Sequence, residues 1–379
     1  MVEVTNYIDR LVAELCPDGV EYRPLSDVVE KNYGGGTPSK AKEEYWGGDI
    51  PWASVGDLSN DLMEVLDTRS KITPAGVSGS STNVVPAGAV IVAIKIAPGK
   101  MKIAGVDLAI NQDIRGLVLN DLMNARFLTY YFRTLRFAGH GTIVKSITNK
   151  RLMDTEVPVP PMEIQEAIVE ILDKFTNLEA ELEAELEART LQYEYYRDSL
   201  FEALDCPRVP LDSFAKIKNG KTYKDFGAGN IPVYGSGGIM TYVDRSSYDK
   251  PTVLIPRKGS LGNLFYLEEP FWNVDTIFYT EIDEEQVIPK FLYYFLKTAH
   301  LEDLNTAGGV PSLTQKVLNK VLIPVPSLAE QQRIVDILDR FDALTSSLSE
   351  GLPAELTARR SQYEYYRDQL LTFPRKGGN

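Results

Sequence analysis

Among 379 residues the chain has two cysteines and two histidines, and it has no run of about 18 apolar residues. Cys16 and Cys206, each followed by proline, exclude a disulfide framework. No Cys-x-x-Cys or His-x-x-x-His spacing joins them to His140 or His300, so no metal site is expected. A histidine general base has few candidates, and the G-x-S-x-G, His-Glu-x-x-His and zinc-deaminase patterns are all missing. The chain reads as non-catalytic. Its first residues, MVEVTNYIDRLVAEL, carry acids where a signal peptide would carry a basic stretch and an apolar one, so a cytoplasmic protein is expected.

What is present suits a globular fold: 44% hydrophobic residues and 10% aromatic, against 25% charged. The length calls for two or more domains. A net charge of −13 argues at first against nucleic acid, whose phosphates need lysine and arginine. Residues 161–204, however, hold 12 acidic and 3 basic side chains, so most of the acidity sits in one stretch. The segments on either side are nearly neutral, and either could present a basic face.

The chain repeats itself. VPVPPMEIQEAIVEILDKF (157–175) recurs as IPVPSLAEQQRIVDILDRF (323–341), pairing Gln165 with Gln331 and Phe175 with Phe341. QYEYYRD occurs twice, at 192–198 and 362–368, and ARFLTYYFRTL (125–135) resembles PKFLYYFLKTA (289–299). The pattern predicts a tandem duplication, each unit a mixed globular domain followed by a long helix. The expected fold class is α+β, with two mixed α/β domains related by a pseudo-two-fold axis and separated by two long antiparallel coiled-coil helices. Expected boundaries are an N-terminal segment 1–24, domains 25–160 and 205–326, helical stretches 161–204 and 327–373, and a tail 374–379.

In the first helical stretch the seam runs through Ile164, Ile168, Ile171, Phe175, Leu178, Leu182, Leu186, Arg189, Tyr193, Tyr196 and Leu200, in steps of three and four with one stutter. In the second it runs through Ile334, Ile337, Phe341, Leu344, Leu348, Leu352, Leu356, Arg359, Tyr363, Tyr366 and Leu370. That stretch has one further step of four, where Gly351 and Pro353 are expected to divide the helix. A helix of this length spans about 60 Å, and two such stripes are buried most simply against each other.

AKIKNGKT (215–222) has Ala215 where a phosphate-binding loop requires glycine, and GSGG (235–238) reads as a tight turn. Short strand-like runs alternate instead with polar, glycine-rich loops that carry lysine. Lysine and arginine neutralise phosphates, hydroxyls bond to them, and amides and arginine read base edges. The DNA-binding candidates in the first half are Thr37, Ser39, Lys40, Lys42, Lys100, Lys102, Ser146, Asn149 and Lys150. In the second half they are Lys218, Asn219, Lys221, Tyr223, Lys224, Arg257, Lys258 and Ser260.

Together with the paired QYEYYRD signature and the IPVP helix entries, ELCPDGVEYRPL (14–25), GNIPVYGSGGIMTYVD (229–244), KPTVLIPRKGSLGN (250–263) and EEPFWNVDTIFYT (268–280) complete a pattern that resembles the specificity subunit of type I restriction-modification enzymes. The resemblance implies two target-recognition domains, each reading half of a bipartite duplex DNA sequence. It also implies helical regions that act as a spacer and dock two methyltransferase (modification) subunits, with restriction subunits joining that core. Spacer and docking candidates are Ile168, Phe175, Tyr193, Tyr196, Ile334, Phe341, Tyr363 and Tyr366. S-adenosylmethionine, Mg²⁺ and ATP would belong to the partners, and this chain would bind none. The alternatives are the recognition subunit of a related two-subunit restriction-methylation enzyme and, in another class, a coiled-coil adaptor that binds proteins. The insertion at Gly351 and Pro353 departs from an even repeat.

Overall fold

The computed structural model describes residues 2–60, 62–137, 146–305, 311–345 and 351–377. His140 and the seam residue Leu348 lie outside them. The chain forms two compact units, one of residues 1–181 with 357–379, the other of residues 182–356. Each unit takes its globular domain from one repeat and the QYEYYRD helix end from the other.

The first unit carries a five-stranded sheet in the order Val29–Gly34, Ile114–Leu119, Val90–Ala93, Met101–Ala104, Glu64–Val65. The second has four of these in the same order: Ala215–Asn219, Ile277–Ile282, Thr252–Pro256, Phe265–Leu267. Val90–Ala93 in the first sheet and Val253–Pro256 in the second are continuous apolar runs because both faces are covered. A smaller sheet packs beyond, of four strands around Trp46–Ala53 in the first unit and of three around Ile231–Gly235 in the second. Each domain also has a two-stranded neck where the chain enters and leaves, Tyr22–Pro24 with Glu156–Pro158 and Arg208–Pro210 with Leu322–Pro324.

The long helix Met162–Glu202 is continuous, as its periodicity predicts. The second stretch is two helices, Leu328–Thr345 and Leu352–Leu370. Gly351 has φ +81, a conformation that glycine adopts freely, and its carbonyl accepts from the Glu355 amide at 3.1 Å as the next helix begins.

The pairing is reciprocal. In the first unit Phe175 stacks on Tyr366, with centroids 5.8 Å apart, and Glu179 meets Arg360 at 2.6 Å. In the second Phe341 stacks on Tyr196 at 5.8 Å and touches Tyr193 at 6.3 Å. In the first, partners rise in number on one helix while they fall on the other, so the helices run antiparallel.

The seam is narrower than the periodicity implies. Ile164, Ile168 and Ile334 are fully buried, but Leu178 is 36% and Tyr196 44% exposed. Gln165, Val169 and Leu172, off the expected seam, are buried because the first turns of the helix face a globular domain rather than another helix.

Gly35 and Gly220 show how closely the two domains correspond. A methyl group on Gly35 would fall inside the Asn111 carbonyl, and one on Gly220 inside the Val274 carbonyl. Gly35→Ala and Gly220→Ala should each lower stability by about 1–3 kcal/mol, read from the denaturant midpoint. An unchanged midpoint would show that the loops yield without cost.

Candidate nucleic-acid interface

Each long helix is fastened to its domain by one buried amide. Gln165 is fully buried, donates to the Leu122 and Pro160 carbonyls, both at 2.8 Å, and accepts from the Asn124 amide at 2.8 Å. Gln331 donates to the Gln286 and Pro326 carbonyls at 2.9 Å and accepts from the Ile288 amide at 2.8 Å. About two turns later an aspartate takes a phenol: Tyr130 donates to Asp173 and Tyr294 to Asp339, each at 2.6 Å. Burial, then these bonds to carboxylates, push both phenols up from their ordinary range. Arg126 binds both Asp173 oxygens, at 3.0 and 2.9 Å, while Lys290 makes one contact to Asp339 at 2.8 Å. These ties hold helices Ala125–Thr134 and Pro289–Thr298 against the long helices and orient the loops beyond them.

The loops converge on one segment in each domain. In the first unit this is Ile110–Ile114: the Ile110 carbonyl accepts from the Gly36 amide at 2.9 Å and the Asp113 carbonyl from the Ile94 amide at 2.8 Å. Thr37 hydrogen-bonds Gln112, and Lys95 pairs with Asp113 at 2.9 Å. In the second it is Asn273–Ile277: the Asn273 carbonyl accepts from the Lys221 amide, and the Thr276 carbonyl from the Arg257 amide, both at 2.9 Å. The Thr276 hydroxyl accepts from the Ser236 amide at 3.3 Å, and Asn263 ties the next loop to the Ser236 carbonyl at 3.1 Å. An indole closes each cluster, Trp52 donating to the Gly36 carbonyl at 3.0 Å and Trp272 to that of Lys221 at 2.9 Å. Bridges between Lys95 and Ser146 and between Lys258 and Ser312 complete the match.

The candidates divide by this geometry. Lys40, Lys150, Lys221, Lys224 and Lys258 are exposed and without an ion-pair partner among the described residues. Thr37, Ser39, Asn219 and Ser260 are exposed, and Lys100, Ser146, Tyr223 and Arg257 are half-buried. Lys42 donates to the Tyr45 hydroxyl at 2.8 Å, Lys218 pairs with Glu281 at 3.2 Å, and Asn149 accepts from Asn32 at 3.2 Å. Lys102 departs from expectation: only 2% exposed, it reaches Asn60 from a strand whose two faces are both covered. It offers no ammonium at the surface. The sequence reading passed over Lys95, Gln112, Ser236 and Ser312, although Ser312 faces Ser146 in the alignment of the halves.

Among the described residues no helix is long and apolar enough to cross a membrane. The family model of the type I restriction modification DNA specificity domain matches residues 17–188 and again 205–358. A type I restriction enzyme specificity subunit of Haemophilus influenzae is 29% identical over 93% of this chain and 96% of its own length. The EcoprrI specificity subunit of Escherichia coli is 30% identical over 91% and 92%. Among solved structures, the S subunit from M. genitalium covers 93% of this chain and 96% of its own with a TM-score of 0.56 at 19% identity. A chain from a type I restriction-modification system studied for its complex assembly covers 93% and 97% with a TM-score of 0.67 at 16% identity. Those two likenesses concern the fold, whereas the double family match spans most of the sequence: the chain belongs to the type I restriction-modification specificity subunits.

Proposed function

We propose that this chain is the non-catalytic reader of its complex, each domain binding one half of a bipartite duplex DNA target. The observation that carries the reading is the duplicated loop cluster, in which exposed lysines and hydroxyls stand on the same backbone framework in both units. The helical pair, with Ile168, Phe175, Tyr193, Tyr196, Ile334, Phe341, Tyr363 and Tyr366 along it, is the docking region for two methyltransferase subunits, and restriction subunits join them. Ile168 and Ile334 are buried within their own units, so they support this region from inside. S-adenosylmethionine, Mg²⁺ and ATP are assigned to the partners, which would supply the chemistry.

Lysines test the phosphate part of the reading. Lys221→Ala with Lys224→Ala should weaken DNA binding by the complex and reduce the slope of log K against log salt by up to about 2, close to one per phosphate contact. An unchanged slope removes both from the interface. A complex that binds no duplex at any salt would leave the coiled-coil adaptor as the better account.

A further inference from the structure

We propose that Ile96 contacts a base pair directly and helps set the sequence read by the first domain. The inference rests on the DNA-reading function above and adds a residue that no charge or hydrogen-bonding pattern singles out.

The residue is out of place on two counts. It lies in the loop between strands Val90–Ala93 and Met101–Ala104 with φ +69, the left-handed region that a β-branched side chain disfavours. Ile96 and His300 are the two non-glycine residues in that region among the described residues. Its side chain is 61% exposed, so the core gains little from it.

The other domain shows what the loop itself requires. The bridges Lys95–Ser146 and Lys258–Ser312 set the register, as do the Ile147 amide on the Ile94 carbonyl and the Leu313 amide on that of Arg257, both at 2.8 Å. In this register Gly259 stands where Ile96 does, with φ +86. The backbone there must be left-handed, and glycine meets that need without strain. A Cβ on Gly259 would meet one atom within 4 Å, the Ser236 hydroxyl at 3.2 Å, so the position faces open space rather than a packing gap. Neither the turn nor the core calls for isoleucine.

What remains is a ligand outside the chain. Ile96 follows Lys95, which is held by Asp113 at 2.9 Å, and Lys100 lies four residues on. An apolar tip between cations is the arrangement that meets a base edge, such as a thymine methyl, flanked by phosphates. Strain that one repeat keeps and the other avoids also fits two domains that share a scaffold and read different half-sites.

The test compares the wild-type complex with Ile96→Gly on two sets of duplexes, one randomised in the first half-site and one in the second, the other half held constant in each. Because Gly259 already fills this position, the variant should fold with a thermal midpoint equal or higher. The expected result is that preference at one or two adjacent base pairs of the first half-site falls about tenfold, with the second half-site and the salt slope unchanged. Identical base preferences in the two proteins would overturn the role of Ile96. If the wild-type complex shows no preference at either half, the DNA-reading function fails first and the inference falls with it.

Discussion

Gln165→Met is expected to destabilise the first unit by about 2–4 kcal/mol, and Gln331→Met the second by a similar amount. Each glutamine is fully buried and satisfies one amide and two carbonyls that methionine cannot reach. Methionine keeps the volume, which isolates the polar loss from a cavity. A buried polar group left unpaired costs about 1–3 kcal/mol, and partial access of water to the Leu122 and Gln286 carbonyls keeps the sum below three full penalties. Amide exchange is the suitable measurement because it reports locally. Gln165→Met should release protection in helix Ala125–Thr134 and leave Pro289–Thr298 as it was, with the reverse for Gln331→Met. A cost below about 1 kcal/mol in both would mean that the helices are held by apolar packing alone.

Replacing residues 25–155 with the corresponding segment of another specificity subunit is expected to change one half of the methylated motif completely and to leave the other half intact. The cut points follow from the neck strands. Tyr22–Pro24 pairs with Glu156–Pro158, so the exchanged segment enters and leaves at one place and the neck stays native. The same reasoning gives 211–321 for the second domain, between Arg208–Pro210 and Leu322–Pro324. The readout is a methylation map of a host expressing each chimera with its methyltransferase. Changes in both halves from a single exchange would refute independent reading by the two domains. Loss of all methylation would point to the helix ties: Arg126 and Glu64, which meet at 3.0 Å within the replaced segment, have to be matched in the donor because Arg126 must still reach Asp173.

Much of this architecture was legible because duplication makes a pattern visible twice. The 166-residue offset that aligned Gln165 with Gln331 also aligned Asp173 with Asp339, and the structure gives each pair the same partners. The reciprocal clasp of Phe175 and Phe341 by the QYEYYRD tyrosines joins that repeat to one whose offset is 170, the difference of four being the extra step in the second helical stretch. The burial of Lys102 was hidden because alternation, the signal for an inward side chain, disappears in a strand covered on both faces. Leu172 and Val169 were missed because a seam rule assumes that one helix faces one other, and here the early turns face a domain. Lys95 and Ile96 needed strand register, which no local pattern supplies.

The bridge between Val20 and Arg375 joins segments that are far apart in the chain: the Val20 amide donates to the Pro374 carbonyl at 2.8 Å, and the Lys376 amide to that of Val20 at 3.0 Å. Arg375 lies 4.2 Å from the centre of the Tyr22 ring and pairs with Glu156. In the second unit the helix carrying QYEYYRD runs covalently through Cys206 and Pro207 into the neck; in the first, that connection is non-covalent, made by these hydrogen bonds and by the contacts of Arg375 with Glu156 and Tyr22. Residues 374–376 thus take, at the first neck, the place that Cys206 and Pro207 hold at the second. A circular permutant that links residue 379 to residue 1 through a flexible linker and opens the chain between Ala203 and Cys206 is expected to keep these contacts in another covalent order and to unfold at a similar thermal midpoint.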